Sequence, residues 1–378
     1  MIRYLFKNIH SKYQIFLLLF LLISCKNDKI NYHKTVKKPV TDVYFGYEVE
    51  DNYRWLEDDL SAETEEWVKK QNQTTFKYLN QIPFRADLKK RLLKLLDYEK
   101  VSAPFKRGEY TYFYKNSGLQ NQSILYRNND TLEPEVFLDP NKFSIDGTTS
   151  LAGLSFSKDA SLVAYSISEG GADWRKVIVM NTETKELVGD TINNVKFSAI
   201  SWKSNEGFYY SSYEAPEGSK LSSKTDQHIL YYHKLGTKQK SDKVIFGAVP
   251  SEKNRYVRGY VTDDNRFLVI DAAVKTTGNK LFIKDLSKDS AIKTIVGNYD
   301  SNTSLLDNNG NDLILVTDSN SPNKRVVKTN FRNPEQNNWT DLIAEKEFVL
   351  SPSVCGGYIF TKYTVDAISK VYQYTYEG

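Results

Sequence analysis

From about residue 100 onwards, short apolar and polar runs alternate with the two-residue period of β-strands, separated by Gly, Asn, Asp and Ser. Six times, a turn leads directly into a strand rich in aromatic and branched residues. These turns are Gly108-Glu109-Tyr110, Ala160-Ser161-Leu162, Glu206-Gly207-Phe208, Asn265-Arg266-Phe267, Asn311-Asp312-Leu313 and Gly356-Gly357-Tyr358. The last residues of successive turns lie 52, 46, 59, 46 and 45 positions apart. Repeats of about 40–50 residues with several strands each predict a β-propeller, because a β-sandwich would not repeat its turns so regularly.

The six repeats predict six four-stranded blades within residues 100–378, with the sixth incomplete. The final alternating strand runs from Lys370 to Tyr376, and only the start of a turn follows it. We therefore expect an all-β propeller that is cut off at a hairpin and contains no helix longer than two turns.

Before the repeats, residues 61–97 carry the pattern of two helices. Ser61 is a typical N-cap, and acidic residues follow it in the first turn, where the helix dipole favours them. Pro83 separates two apolar stripes, which are Trp67, Val68, Phe76 and Leu79 in the first helix and Leu88, Leu92, Leu95 and Leu96 in the second. We expect residues 42–99 to form a helical N-terminal segment in which both stripes are buried against another part of the protein.

The first 25 residues have the pattern of a secretory address. Arg3, Lys7 and Lys12 precede the apolar run from Ile15 to Ile23, which is too short to cross a bilayer as a helix. The run leads into Leu22-Ile23-Ser24-Cys25, which resembles the lipobox of bacterial lipoproteins. We expect a signal peptide over residues 1–24, a lipid on Cys25, a polar tether over 25–41 and a position at the membrane of a bacterial cell envelope. The alternative is an ordinary secretory signal with an incidental cysteine.

Composition and charge exclude two classes of protein. The chain is 40% hydrophobic and 13% aromatic, which is incompatible with a disordered chain. It has 51 Lys and Arg against 47 Asp and Glu, and removing residues 1–24 leaves 48 against 47. This neutral balance gives no long-range field to recruit a polyanion, and it argues against a nucleic-acid binder.

Candidate catalytic and metal-binding residues are few. Ser155 lies in Gly153-Leu154-Ser155-Phe156-Ser157, which nearly matches the G-x-S-x-G nucleophile elbow, but it precedes a propeller turn and is expected to be an ordinary strand serine. His228 and His233 are five residues apart on one predicted strand, so they point to opposite faces and cannot share a metal. We therefore expect no metal and no cofactor. The sequence does not exclude a catalytic site of the glycosidase type, in which two carboxylates distant in sequence would meet in the propeller tunnel.

The N-terminal stretch Asp51-Asn52-Tyr53-Arg54-Trp55-Leu56-Glu57-Asp58 resembles the D-P-Y-R-W-L-E-D signature of the prolyl oligopeptidase family, with Asn52 in place of the proline. Further similar segments follow in the family's order, and the resemblance covers about residues 32–378. They are Tyr112-Phe113-Tyr114, Gly118 to Gln122, Phe137 to Asn141, Gly171-Ala172-Asp173-Trp174, Val195-Lys196-Phe197-Ser198, Tyr231-Tyr232-His233 and Leu235-Gly236-Thr237. Members of the family have a seven-bladed propeller over an α/β-hydrolase domain and cleave short peptides after proline. The resemblance thus implies six visible blades of an expected seven, residues 100–378 being a truncated propeller.

The resemblance also implies where the chemistry lies. In the family the catalytic Ser, Asp and His follow the propeller, so we expect no catalytic residue in this chain and no activity from it alone. Phe197, in the family's V-K-F-S segment, is implied to contact the N-terminal side of the substrate. The family's helical N-terminal segment packs on the hydrolase domain, and the expected protein is a monomer acting on short proline-containing peptides.

The sequence leaves three functions open. The first is the N-terminal piece of a lipid-anchored prolyl oligopeptidase-like serine endopeptidase, whose propeller gates access of the substrate. The second is a non-catalytic, lipid-anchored propeller that binds peptides or a protein partner. The third is a split enzyme that a separate hydrolase chain completes.

Overall fold

A computed structural model describes residues 30–129, 132–214, 221 and 225–378. The chain divides into two compact units, one up to Lys94 and one from Leu95 onwards. The predicted signal peptide and Cys25 lie outside the described residues. Neither helix in the described part of the chain is long and apolar enough to cross a membrane.

The first unit contains a hairpin, one complete helix and most of a second helix. Strands β1 (Val40–Tyr44) and β2 (Tyr47–Asp51) pair antiparallel, helix α1 spans Ala62–Leu79 and helix α2 spans Arg85–Leu96. Ser61 is the N-cap, as predicted, because its hydroxyl accepts a hydrogen bond from the N–H of Thr64 at 3.1 Å. Both helices were predicted, but the hairpin was not.

The apolar stripes of the two helices are not covered within the described residues. Six of the eight side chains in the stripes are each about half exposed, and they are Val68, Phe76, Leu88, Leu92, Leu95 and Leu96. The expected burial of both stripes is therefore not met by the described part of this chain.

The second unit consists of six sheets in chain order, which we number as blades one to six. Blade one contains β3 (Lys100–Val101), β4 (Phe105–Arg107), β5 (Tyr110–Asn116), β6 (Ile124–Asn129) and β7 (Leu132–Leu138). Blade two contains β8 (Thr149–Phe156), β9 (Leu162–Glu169), β10 (Trp174–Asn181) and β11 (Ile192–Lys196). Blade three contains β12 (Ser201–Lys203), β13 (Gly207–Ser212), β14 (Ile229–Lys234) and β15 (Lys243–Phe246).

The remaining blades follow the same plan. Blade four contains β16 (Tyr256–Val261), β17 (Phe267–Ala273), β18 (Lys280–Asp285) and β19 (Lys293–Val296). Blade five contains β20 (Thr303–Asn309), β21 (Asp312–Thr317), β22 (Arg325–Asn330) and β23 (Thr340–Ile343). Blade six contains β24 (Ser351–Cys355), β25 (Tyr358–Val365) and β26 (Ile368–Tyr374). Between residues 100 and 378 the described helices are all single 3-10 turns of three residues.

The prediction of six blades is confirmed, and four strands per blade hold for blades two to five. Blade six has three strands. Blade one has five, because β3 and β4 both pair with the same edge of β5. Pro104 lies between β3 and β4, and its missing N–H interrupts what would otherwise be one edge strand.

Each predicted turn leads into the second strand of its blade in blades two to six, and into β5, which follows the short strands β3 and β4, in blade one. In two of the blades, local side-chain hydrogen bonds close the turn. In blade two the carboxylate of Asp159 accepts bonds from the Ser157 hydroxyl at 3.0 Å and the Ser161 N–H at 2.9 Å. Asp264 makes the equivalent bonds in blade four. These turns form from their own residues, which is why they are visible in the sequence.

The core is divided into five hydrophobic clusters, and each lies between two consecutive blades. Representative buried pairs are Tyr112 and Val163, Val179 and Phe208, Leu230 and Leu268, Leu281 and Leu313, and Ile314 and Ile359. A blade that packs on its predecessor with one face and on its successor with the other belongs to a propeller and not to a two-sheet sandwich. Among the described residues, no cluster joins blade six to blade one.

Candidate functional site

Phe197, the residue implied to bind substrate, lies in the connection between blades two and three. It follows β11 directly, and its φ of 52° is in the left-handed region, which ends the strand at Lys196. The next residue is fastened to blade three, because the N–H of Ser211 donates to the Ser198 hydroxyl at 2.7 Å. This connection holds the Phe197 side chain at the surface, where it is 40% exposed.

Aromatic rings from two further blades support Phe197. Its ring centroid lies 6.3 Å from that of Tyr213, nearly perpendicular to it, and 6.2 Å from that of Tyr256. Edge-to-face and tilted pairs at these distances are favourable contacts. Phe197 therefore presents one apolar side to solvent while its other side is packed.

Tyr213 is the buried support of this aromatic group. Its hydroxyl donates to the carbonyl of Arg255 at 2.6 Å, and its ring stacks on the imidazole of His228 at 4.4 Å. The ring of Trp174 lies 6.5 Å away, edge to face. Burial raises the pKa of Tyr213 to about 12, so its hydroxyl is neutral at physiological pH.

His228 is fully buried beneath Tyr213. The N–H of Val257 donates to its Nδ1 at 2.9 Å, so the proton is on Nε2, which donates to the carbonyl of Lys196 at 2.9 Å. Burial lowers the pKa of His228 to about 4, and the positive charge of Arg258 acts in the same direction. The imidazole is therefore neutral at pH 7, and both nitrogens are engaged in joining blades two, three and four.

Lys196 borders the same aromatic group. Only 7% of the residue is exposed. Its Nζ lies 4.9 Å from the ring centroid of Trp174 and 5.1 Å from that of Phe197, which places the ammonium over both aromatic faces.

Ser155 and His233 lie elsewhere and are engaged in other contacts. Ser155 is on strand β8, as expected for an ordinary strand serine, and its hydroxyl donates to the carbonyl of Ile200 at 3.0 Å. The Nδ1 of His233 lies 2.8 Å from one carboxylate oxygen of Asp242, and the other oxygen of that carboxylate accepts a hydrogen bond from the Tyr210 hydroxyl at 2.8 Å. The structure thus brings neither histidine to Ser155.

In the described part of the chain, no three His, Cys, Asp or Glu side chains are grouped so that they could hold a metal ion. His228 and His233 contact different partners, which are Lys196 and Val257 for His228 and Asp242 for His233.

The resemblance implied a substrate contact for Phe197, which stays a prediction, and it did not indicate all of the residues that pack around it. Trp174 and Lys196 are part of segments that resemble the family, so a signal for them existed. Tyr213 and Tyr256 come from two other blades and are two among 26 tyrosines, and nothing in the local sequence distinguishes them.

Comparison with known proteins gives one consistent family. The family model described as "Prolyl oligopeptidase, N-terminal beta-propeller domain" matches residues 33–378. The prolyl endopeptidases of Elizabethkingia miricola and Elizabethkingia meningoseptica are 51% and 52% identical to this chain over 361 residues, which is 95% of this chain and 51% of each relative. The chain therefore spans about half the length of these relatives.

Solved structures agree with this relationship. A structure from a study of two prolyl endopeptidases has a TM-score of 0.67 and 29% identity, and the match covers 92% of this chain and 51% of that one. A prolyl oligopeptidase B from Galerina marginata has a TM-score of 0.77 and 25% identity, with 92% and 52% covered. The chain belongs to the prolyl oligopeptidase family and carries that family's N-terminal β-propeller domain.

Proposed function

We propose that this propeller is part of a serine endopeptidase that cleaves short peptides after proline, and that the surface around Phe197 contacts the peptide on the N-terminal side of the proline. The observation that carries the proposal is the half-exposed Phe197 ring, supported by Tyr213 and Tyr256 on a family propeller. The similar Galerina marginata protein is described as bound to a 35mer hydrolysis and macrocyclization substrate, which supports a peptide ligand.

In the proposed enzyme, this chain contributes binding and not the nucleophile. A serine would attack the carbonyl carbon of the proline residue and the amine of the next residue would leave, with a histidine as general base and then general acid, and an aspartate orienting that histidine. Ser155, His228 and His233 are each engaged in other contacts, so these residues do not fill those roles. An exposed ring that contacts the peptide away from the reacting bond affects substrate binding more than turnover.

A fusion protein tests the activity. Residues 26–378 are joined to the part of the Elizabethkingia miricola prolyl endopeptidase that this chain does not match. We expect the fusion to hydrolyse a blocked Ala-Ala-Gly-Pro chromogenic peptide and a serine-directed phosphonate to inhibit it. Phe197→Ala should lower kcat/KM about tenfold, mainly through KM, because one aromatic contact is lost.

Phe113→Ala is the matched control, because Phe113 is also partly exposed and stacks on one tyrosine, Tyr126, at 5.7 Å in blade one. Its kcat/KM should stay within twofold of the unsubstituted fusion. A folded fusion without post-proline cleavage, beside an active Elizabethkingia enzyme in the same assay, would contradict the proposed activity and favour a non-catalytic peptide-binding propeller. Equal effects of the two Phe variants would contradict the role of Phe197.

We also propose that the protein is held at a bacterial membrane through a lipid on Cys25. The support is the sequence alone: a basic start, a short apolar run and the Leu22-Ile23-Ser24-Cys25 segment. A neutral protein without a basic patch would need more than one lipid chain for stable attachment, as bacterial lipoproteins have.

The prediction is that Cys25→Ser moves the protein out of the membrane fraction. The wild-type protein should sediment with membranes and the variant should be released, because serine offers no thiol for the lipid. Cys355→Ser is the matched control, because Cys355 is an exposed free cysteine far along the chain and its loss should leave fractionation unchanged. Equal release of wild type and Cys25→Ser would rule out the anchor.

A further inference from the structure

Lys196 is a largely buried residue whose ammonium reaches the surface and has no anion partner among the described residues. Of its side-chain contacts, the structure gives only the ring faces of Trp174 and Phe197. Among the described residues, no carboxylate pairs with its Nζ, and no carbonyl or hydroxyl oxygen accepts a hydrogen bond from it. Its backbone is held in place, because its carbonyl accepts the bond from His228.

This arrangement leaves the ammonium available to a ligand. An ammonium carries three N–H donors, and at Lys196 no described protein group accepts from them, although the side-chain stem is largely buried. Two aromatic faces attract the positive charge through their quadrupoles, but they do not replace hydrogen-bond acceptors. An acceptor supplied by a ligand would therefore gain more at Lys196 than at an exposed lysine.

A second cation lies nearby. The guanidinium of Arg255 is 5.9 Å from the ring centroid of Tyr256, and the Tyr256 ring is 6.2 Å from that of Phe197. No ion pair of Arg255 is found in the described part of the chain. Phe197 therefore has one cation over its own ring, that of Lys196, and a second, that of Arg255, over the ring of its neighbour Tyr256.

We propose that Lys196 binds the carboxylate of an acidic side chain in a bound peptide, on the N-terminal side of proline. The proposal rests on the proposed peptide-binding function of the Phe197 surface and names the substrate class that this surface prefers. The ammonium donates hydrogen bonds to the carboxylate, while Phe197 packs against the neighbouring part of the peptide. Arg255 adds positive potential at the edge of the site.

Binding to residues 26–378 tests the preference directly. The probes are two peptides, acetyl-Glu-Ala-Gly-Pro-amide and acetyl-Gln-Ala-Gly-Pro-amide, which are blocked at both ends so that only the Glu side chain is charged. We expect the Glu peptide to bind about tenfold more tightly than the Gln peptide, as measured by NMR titration, because a charge-assisted hydrogen bond is formed at a mostly buried group.

Lys196→Met should abolish the difference between the peptides, because Met keeps an unbranched apolar stem but has no charge. It should change the dissociation constant of the Gln peptide by less than twofold, whereas a general loss of structure would weaken both peptides. Lys196→Arg should still bind the Glu peptide at least about threefold more tightly than the Gln peptide, because its guanidinium keeps the positive charge. Lys176→Met is the control for net charge, because Lys176 lies in the same blade, is more exposed and pairs with Glu169; it should leave the preference unchanged.

The outcomes separate this inference from the proposed function. Equal affinities of the two peptides for the wild-type chain would overturn the acidic preference and leave peptide binding standing. If neither peptide binds, the acidic preference and the proposed peptide binding of the Phe197 surface are both overturned. A Glu preference that persists in Lys196→Met would also overturn the inference, since another group would then hold the carboxylate.

Discussion

Phe208→Ala will lower the free energy of unfolding by about 4 kcal/mol, because removing a buried aromatic ring costs its transfer free energy and leaves a cavity. Phe208 is completely buried on β13. Its ring packs edge to face on Trp202 at 5.3 Å and contacts His233 at 5.2 Å. It belongs to the cluster between blades two and three, which also positions the connection that carries Phe197.

Urea unfolding followed by far-UV circular dichroism measures this effect. Tyr358→Ala is the matched control, because Tyr358 is also the aromatic residue that follows a repeat turn but is substantially exposed; it should cost less than about 1 kcal/mol. A loss of less than about 1 kcal/mol for Phe208→Ala would contradict the packing described for this pair of blades.

Acidification from pH 7 to pH 4 will remove about 3 kcal/mol of stability through His228 alone. The pKa of His228 is lowered from 6.5 to about 4, chiefly by burial, and this difference converts to about 3 kcal/mol. Between these values the unfolded chain binds a proton on this imidazole and the folded chain does not. The contribution is therefore complete above pH 6.5 and is lost as the pH falls towards 4.

The measurement is a series of urea unfolding curves between pH 4 and 7.5, for the wild type and for His228→Gln. Glutamine does not titrate, so its stability should fall less steeply on acidification, although it is less stable than the wild type at pH 7. Carboxylates titrate in both proteins and cancel in the comparison. His33→Gln, in which an exposed histidine is replaced, controls for losing a histidine as such. Parallel curves for wild type and His228→Gln would contradict a neutral, buried His228.

The propeller repeat was predictable because its signals are local. Turns such as those of Asp159 and Asp264 are closed by side chains within four residues, so they are visible in the local sequence. The β1–β2 hairpin has no such signal, because most of its side chains are exposed and apolar and polar positions do not alternate with burial. Pro104 is a local signal for the divided edge strand of blade one, but its effect depends on the register with β5.

The candidate site was predictable only in part, for a different reason. Phe197 was proposed through a resemblance to a family segment, whereas its contacts with Tyr213 and Tyr256 arise from the packing of three blades. Contacts between residues so far apart in sequence depend on tertiary structure. The neutral state of His228 likewise depends on burial that a sequence does not display.

The division of the core into five clusters has a consequence for dynamics. When each repeat contacts only its neighbours, stability resembles that of a one-dimensional array, and local opening starts at the ends of the array. Blades one and six each share one cluster within the described residues, whereas blades two to five each share two. Amide hydrogens should therefore exchange fastest in the terminal blades and slowest in blades three and four. The residues around Phe197 come from blades two to four, so the site stays assembled while the ends of the array open and close.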